Sequence, residues 1–222
     1  MNMAKLQLAI MAFASVVVAN SARASFNLIT DGDFSTPGQG VGGYTYAPTG
    51  SPWTFSPLIG GVSGSGITYI PSAFENTPLN IQAGFLQTAG GSVSSTDPAS
   101  ISQVFSAPAA GSYDLSFMYA GRTYDGGTTT FKVSVDGSSV FTVTPLSGQN
   151  FTPESLIVTL ANGNHTLAFT STAPVIGYDE TAFIGNVSLT AVPEPTTIIS
   201  AALMLLPFGA STMRILRRKQ VA

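Results

Sequence analysis

Through the middle of the chain, apolar and polar side chains alternate, and no window holds a sustained apolar repeat at helical spacing. Residues 113–119 place Tyr113, Leu115, Phe117 and Tyr119 on one face of an extended segment. Residues 131–135 alternate likewise, Asp136-Gly137 supplies a tight hairpin turn, and 140–143 reads as the returning strand. A second pair, 156–160 and 166–169, flanks Asn162-Gly163-Asn164, and 183–189 reads as the last strand. Less regular candidates at 26–29, 53–55, 67–70, 84–86 and 101–105 bring the expected total to roughly nine or ten strands. Short strands, Gly/Pro turns and no helical pattern predict an all-β fold, an antiparallel β-sandwich of two sheets. The Gly/Pro/Ser-rich stretch 36–66 is expected to be a long surface loop region, and no fixed repeat supports a solenoid or propeller.

Both ends of the chain break this pattern. Lys5 precedes an uncharged, mostly apolar run from Leu6 to Ala19, and Ala22-Arg23-Ala24 offers small residues where a signal peptidase reads. The run is too short for a membrane span, so 1–24 is read as a signal peptide and 25–191 as the sandwich domain. At the other end, 196–213 is uncharged and would make a helix of about 27 Å, enough to cross a bilayer with little tilt. Arg214, Arg217, Arg218 and Lys219 follow it and would hold that end in the cytoplasm, leaving the domain outside.

Immediately before the apolar run stand Val192, Pro193, Glu194 and Pro195, where two prolines force an extended segment. This order of Val-Pro-Glu-Pro, short apolar helix and basic end closely resembles the PEP-CTERM sorting tail of Gram-negative bacteria, here 192–222. The resemblance implies an exosortase partner, transient anchoring in the inner membrane, and release to the cell surface or extracellular space, often in exopolysaccharide producers.

A second resemblance spans most of the domain. Asn27-Leu-Ile-Thr-Asp-Gly-Asp-Phe34 looks like the opening of galactose-binding-like jelly rolls. Ile101-Ser-Gln-Val-Phe105, Gly111-Ser-Tyr-Asp-Leu-Ser-Phe117 and Gly163-Asn-His-Thr-Leu-Ala-Phe169 look like middle strands of that fold, and 183–189 like its last. The fold hosts many functions, so the similarity implies an architecture before any ligand.

Charge narrows the partners. Between Ser25 and Pro195 stand all eleven acidic residues but only Arg122 and Lys132 of the eight basic ones, a net charge near −9. Such a surface repels nucleic acid and anionic membranes and suits cations or neutral sugars. With no cysteine in the chain, disulfides and thiolate metal sites are excluded, and stability must come from packing.

Two constellations carry candidate chemistry. Asp31 and Asp33, two apart near the first strand, and Asp179 and Glu180, just before the last, are candidate ligands for a structural calcium. Hard cations take six to eight oxygens, and in the resembled family the first and last strands often lie close. Against this, Ser35 stands where an acidic residue often follows the motif Phe, and Gly185-Asn186 where the last strand often carries Asp; solvated turn carboxylates are the alternative. For sugar binding, Trp53, Tyr124 and Asp125 are the candidate ligand residues. Tyr44, Tyr46, Tyr69, Asn76, Gln82 and Gln87 lie in the same half of the chain; aromatic residues in sandwiches more often serve as core.

No enzyme is predicted. His165 stands alone, no Gly-x-Ser-x-Gly elbow occurs, and zinc lacks ligands. Gly38-x-Gly40-x-x-Gly43 lacks the strand-to-helix context of a dinucleotide site. The expected function is therefore an exported, non-catalytic surface or matrix protein associating with exopolysaccharide. A structural or adhesion protein with a protein partner is the alternative, and a glycoside-active enzyme comes third.

Overall fold

A computed structural model describes residues 26–59, 63–70, 81–89, 98–123, 128–172 and 179–193. Residues 1–24, read above as a signal peptide, Glu194 and Pro195, the apolar run 196–213 and the basic end 214–219 lie outside the described residues.

Eleven strands form among the described residues: β1 (Tyr44–Tyr46), β2 (Thr54–Phe55), β3 (Gly64–Ile70), β4 (Ile81–Ala89), β5 (Ser100–Ala107), β6 (Gly111–Gly121), β7 (Phe131–Val135), β8 (Ser138–Val143), β9 (Thr152–Leu160), β10 (Gly163–Ser171) and β11 (Asp179–Ala191). They make a six-stranded sheet, β1-β3-β4-β11-β6-β9, and a five-stranded sheet, β2-β5-β10-β7-β8. Every pairing is antiparallel. Residues Phe26–Ala191 form one compact unit, an all-β, two-sheet jelly-roll sandwich.

The alternation in 113–119 does what its period requires. Tyr113, Leu115 and Phe117 are buried, while Ser112 is exposed and Asp114 and Ser116 are half-buried on the opposite face. Asp136 and Gly137 take φ of 51° and 79°, the left-handed pair of a two-residue hairpin between β7 and β8. Between the sheets, Phe117, Phe131 and Phe169 are fully buried with Leu115, Leu167 and Ile184. Phe169 stands edge-on to Phe117 at 5.4 Å, and Phe117 to Phe141 at 5.7 Å.

Two expectations need correction. The stretch 36–66 holds more strand than the candidate at 53–55, which is β2: it also contains β1 and the start of β3. Residues 26–29, expected as a strand, belong to none, yet they are bonded to the chain's last strand. Leu28 N donates to Leu189 O (2.9 Å), and the Asn27 carboxamide oxygen accepts from Ile29 N (3.0 Å) and Leu189 N (2.8 Å). This segment takes over where β4 leaves β11 after Ile184. At the changeover β11 carries one extra residue relative to β6, with Asn186 at φ 50°, a β-bulge that bends the strand. Val187 N then donates to Gly32 O, and a Cβ on Gly32 would stand 1.9 Å from Val187 O, so only glycine fits there.

Candidate functional site

Register fixes which side chains share the outer face of the six-stranded sheet. Tyr46, Gly66, Phe85, Phe183 and Ala120 line up across β1, β3, β4, β11 and β6, and Tyr44, Thr68 and Ala83 form the next row. These apolar residues make a cluster of their own, apart from the core between the sheets: Ala83, Phe85, Ala120, Phe151 and Phe183, with Tyr46 and Met118 against it.

Two glycines in β3 make room for the rings. A Cβ on Gly66 would come within 2.8 Å of the Phe85 ring, and one on Gly64 within 3.2 Å of Tyr46 Cδ1. The Tyr46 ring therefore meets Phe85 edge-on, centroids 4.9 Å apart, and its hydroxyl donates to Gln87 Oε1. Tyr44 stands edge-on to Tyr46 at 6.0 Å and remains 57% exposed on this short edge strand. In the same row, Thr68 Oγ1 donates to the Gly43 carbonyl (3.3 Å), while Thr45, the next residue of β1, faces the other way and donates to Gln39 Oε1 (3.0 Å). The result is an exposed aromatic ring, held edge-on by Tyr46 and opposite the neutral Thr68.

Among the other sugar-binding candidates, Trp53 needs correction. It is buried between the sheets, its indole N–H donates to Asp31 O (2.8 Å), and Phe34 covers one face of its ring, so neither face is open to a ligand. Gln82 is a fastener: its amide group donates to the Phe34 and Pro37 carbonyls and accepts from Gln39 N. Tyr69 pairs with Gln82 and faces away from Tyr44. Tyr124, Asp125 and Asn76 lie outside the described residues.

Of the four acids proposed for calcium, Asp31 and Asp33 do not converge with Glu180, and the side chain of Asp179 lies outside the described residues. Asp31 and Asp33 flank Gly32, beside Val187, whereas Glu180 lies seven residues earlier on β11, roughly 20 Å along the strand. Asp31 instead closes a turn, accepting Ser35 Oγ (2.9 Å) and Thr36 N (3.1 Å), while Asp33 accepts Ser35 N (3.3 Å). Burial, and to a lesser degree Asp33, push the Asp31 pKa up, with the Ser35 and Thr36 bonds opposing. Among the described residues no group of three His, Cys, Asp or Glu could hold a metal ion, and Asp31 and Asp33 do not share a calcium site with Glu180.

At the end of the sandwich where β4, β6 and β11 meet their connecting loops, buried polar side chains collect. Thr88 Oγ1 donates to Thr129 Oγ1 (3.0 Å), and Arg122 Nη1 lies 3.4 Å from Thr181 Oγ1. Glu180, opposite Thr88, is buried, and burial raises its pKa; no hydrogen bond or ion pair to it occurs among the described residues. Nothing in the sequence announces Thr88, Thr129 or Arg122, because burial of single polar residues depends on tertiary contacts. At the opposite end, His165 meets Asp136 at 2.6 Å, but its second nitrogen faces the Ala161 carbonyl at 3.0 Å. That capping leaves the imidazole no lone pair directed at a substrate, so this pair lacks the geometry of a catalytic dyad.

No family model and no curated protein matches the chain. Solved structures do. An apo-form cyclase from Fischerella sp. superposes with a TM-score of 0.55 at 18% identity, covering 78% of this chain and 98% of that one. The enzymatically active domain of tailspike protein 4 from bacteriophage CBA120 gives 0.48 at 15% identity, over 75% of this chain and 21% of that one. TmCBM61, solved with β-1,4-galactotriose, gives 0.43 at 18% identity, over 76% of this chain and all of that one. At these identities the likeness to the cyclase establishes the sandwich fold alone.

Proposed function

We propose that this chain is an exported, non-catalytic surface protein that associates with polysaccharide through the outer face of its six-stranded sheet, with Tyr44 as the contact ring. One observation carries the site: Tyr44 exposes an aromatic ring that meets Tyr46 edge-on, and Tyr46 in turn packs on Phe85 of the outer cluster. Aromatic faces stack on the C–H faces of pyranose rings, and the neutral surroundings together with the acidic domain favour uncharged sugars over anionic polymers. The sorting tail read in 192–222 supplies the export half of the proposal, with exosortase and the inner membrane as transient partners. Val192 and Pro193, the described part of that motif, are exposed and follow β11 directly.

Affinity electrophoresis tests the binding half. The 25–191 domain should be retarded in gels containing the producer's own exopolysaccharide, and Tyr44→Ala should abolish the retardation. If neither that polymer nor a panel of neutral glycans retards the wild-type domain, the reading fails.

A further inference from the structure

His165 is the chain's only histidine, and both of its ring nitrogens face oxygen acceptors. Nδ1 lies 2.6 Å from Asp136 Oδ2, in the turn between β7 and β8. Nε2 lies 3.0 Å from the carbonyl of Ala161, in the turn between β9 and β10. A neutral imidazole carries one N–H and one lone pair, so it satisfies only one of these acceptors and points its lone pair at the other. The imidazolium satisfies both. The ring also lies against Phe105, centroids 5.7 Å apart and planes 30° from parallel, an arrangement that favours a cation.

We propose that His165 is held as an imidazolium and acts as a pH-sensitive strap, tying the β7–β8 turn to the β9–β10 turn across the end of the five-stranded sheet. Asp136 is built into the same joint. Its other carboxylate oxygen accepts from Thr166 N (2.8 Å), and its own N–H donates to Thr166 O (2.9 Å). Asn162, next to Ala161, extends the tie by donating to the Pro108 carbonyl (2.9 Å).

The charged surroundings are simple. From β5, Phe105 faces the ring; from the two turns come Asp136 and the Ala161 carbonyl. Lys132 of β7 sits opposite Thr170, five residues along β10 from His165, roughly 17 Å away and on the other face. Across the sandwich, Asp114 is bonded to Ser155 on the outer face of the other sheet. Among the described residues, Asp136 is thus the one ionisable group in contact with the ring.

The Asp136 hydrogen bond and then the Ala161 carbonyl raise the His165 pKa, and the His165 bond lowers that of Asp136. A histidine raised in the folded state stabilises fully below its ordinary pKa, and that stabilisation disappears as pH rises through the folded value. The lowered aspartate contributes above the ordinary carboxylate range and stops contributing as pH falls through its folded value. The strap is therefore closed between the ordinary carboxylate range and the ordinary histidine pKa, and opens as pH rises through the raised His165 value.

A single histidine makes the test direct. Long-range proton–nitrogen NMR of the full chain should show both ring nitrogens protonated at pH 6.5, with a titration midpoint above the ordinary value of about 6.5. Asp136→Asn should bring the midpoint down toward that value. In thermal melts, the difference between wild type and His165→Gln should shrink as pH rises from 6 to 9. A wild-type midpoint at or below 6.5, a midpoint indifferent to Asp136→Asn, or a pH-independent melting difference would each overturn the strap. If His165→Gln does not fold, the wild-type titration decides alone.

Discussion

Phe34 lies nearly face to face with Trp53, ring centroids 5.0 Å apart and planes 21° from parallel, and the indole N–H is bonded to the Asp31 carbonyl at the start of the same turn. The opening motif Asp31-Gly-Asp-Phe34 is thereby explained. Asp31 and Phe34 both adopt positive φ, Phe34 N returns to Asp31 O (3.0 Å), and the sharp turn drives the Phe34 ring between the sheets. There Gly84 leaves room for it, because a Cβ at that position would stand 2.8 Å from the ring.

Truncating either ring should therefore cost core stability. Phe34→Ala and Trp53→Ala are each expected to lower the unfolding free energy by about 3–5 kcal/mol, as large buried aromatic residues do. Urea denaturation measures this. The chain has one tryptophan, so a blue-shifted emission in the folded state checks its burial independently. A loss below about 1 kcal/mol for Trp53→Ala would contradict the packing described above.

The longer strands were legible because their side chains alternate over at least five positions, as in Tyr113–Tyr119 and Phe131–Val135. β1 has three residues, too few to display a period, so it disappears into a stretch that reads as loop, whereas the two residues of β2 fall within the candidate at 53–55. β4 mixes the faces: Leu86 packs between the sheets while Ala83 and Phe85 belong to the outer cluster. An apolar run of this kind announces a strand covered on both sides but not which side holds a site. For the same reason Tyr44, Tyr46, Tyr69 and Trp53 look equivalent as letters: register separates exposed Tyr44 from Tyr69, and packing on Phe34 buries Trp53.

Gly66→Ala should damage both the fold and the site. The added methyl would stand 2.1 Å from Thr45 O and 2.8 Å from the Phe85 ring, displacing β1 and the ring behind Tyr46. A loss of about 1–3 kcal/mol is expected from overpacking, with reduced polysaccharide retardation because β1 carries Tyr44. Tyr44→Ala, by contrast, should remove retardation while leaving the urea midpoint almost unchanged, since the ring is exposed. Equal stability losses in both variants would show that Tyr44 is a packing residue.

Glu180 gives a pH signature of its own. Burial raises its pKa, so the charged form is the one the fold disfavours. A carboxyl raised in the folded state favours folding at pH below its ordinary pKa, and that favour is lost as pH rises through the folded value. Glu180→Gln keeps the shape without the charge. It is expected to stabilise the protein at pH 7–8 by on the order of 1 kcal/mol, with the gain vanishing toward pH 4. Urea midpoints across this range check the sign; a variant less stable than wild type at pH 8 would mean that a cation or cationic group compensates the carboxylate.

Asp31 separates a turn from a calcium site. Its carboxylate accepts Ser35 Oγ and Thr36 N, a role that the carboxamide oxygen of asparagine can also fill. Asp31→Asn removes a partly buried charge that neighbouring Asp33 also disfavours, so at pH 7 its stability should stay within about 0.5 kcal/mol of wild type or exceed it. Because that pKa is raised, any gain should fade as pH falls and wild-type Asp31 becomes protonated. Excess chelator should leave the melting temperature of both proteins unchanged, since an ion bound only to the folded state would have to stabilise it. A chelator-dependent drop in wild type that Asp31→Asn eliminates would instead place a cation at this turn, with its remaining ligands drawn from groups other than Glu180.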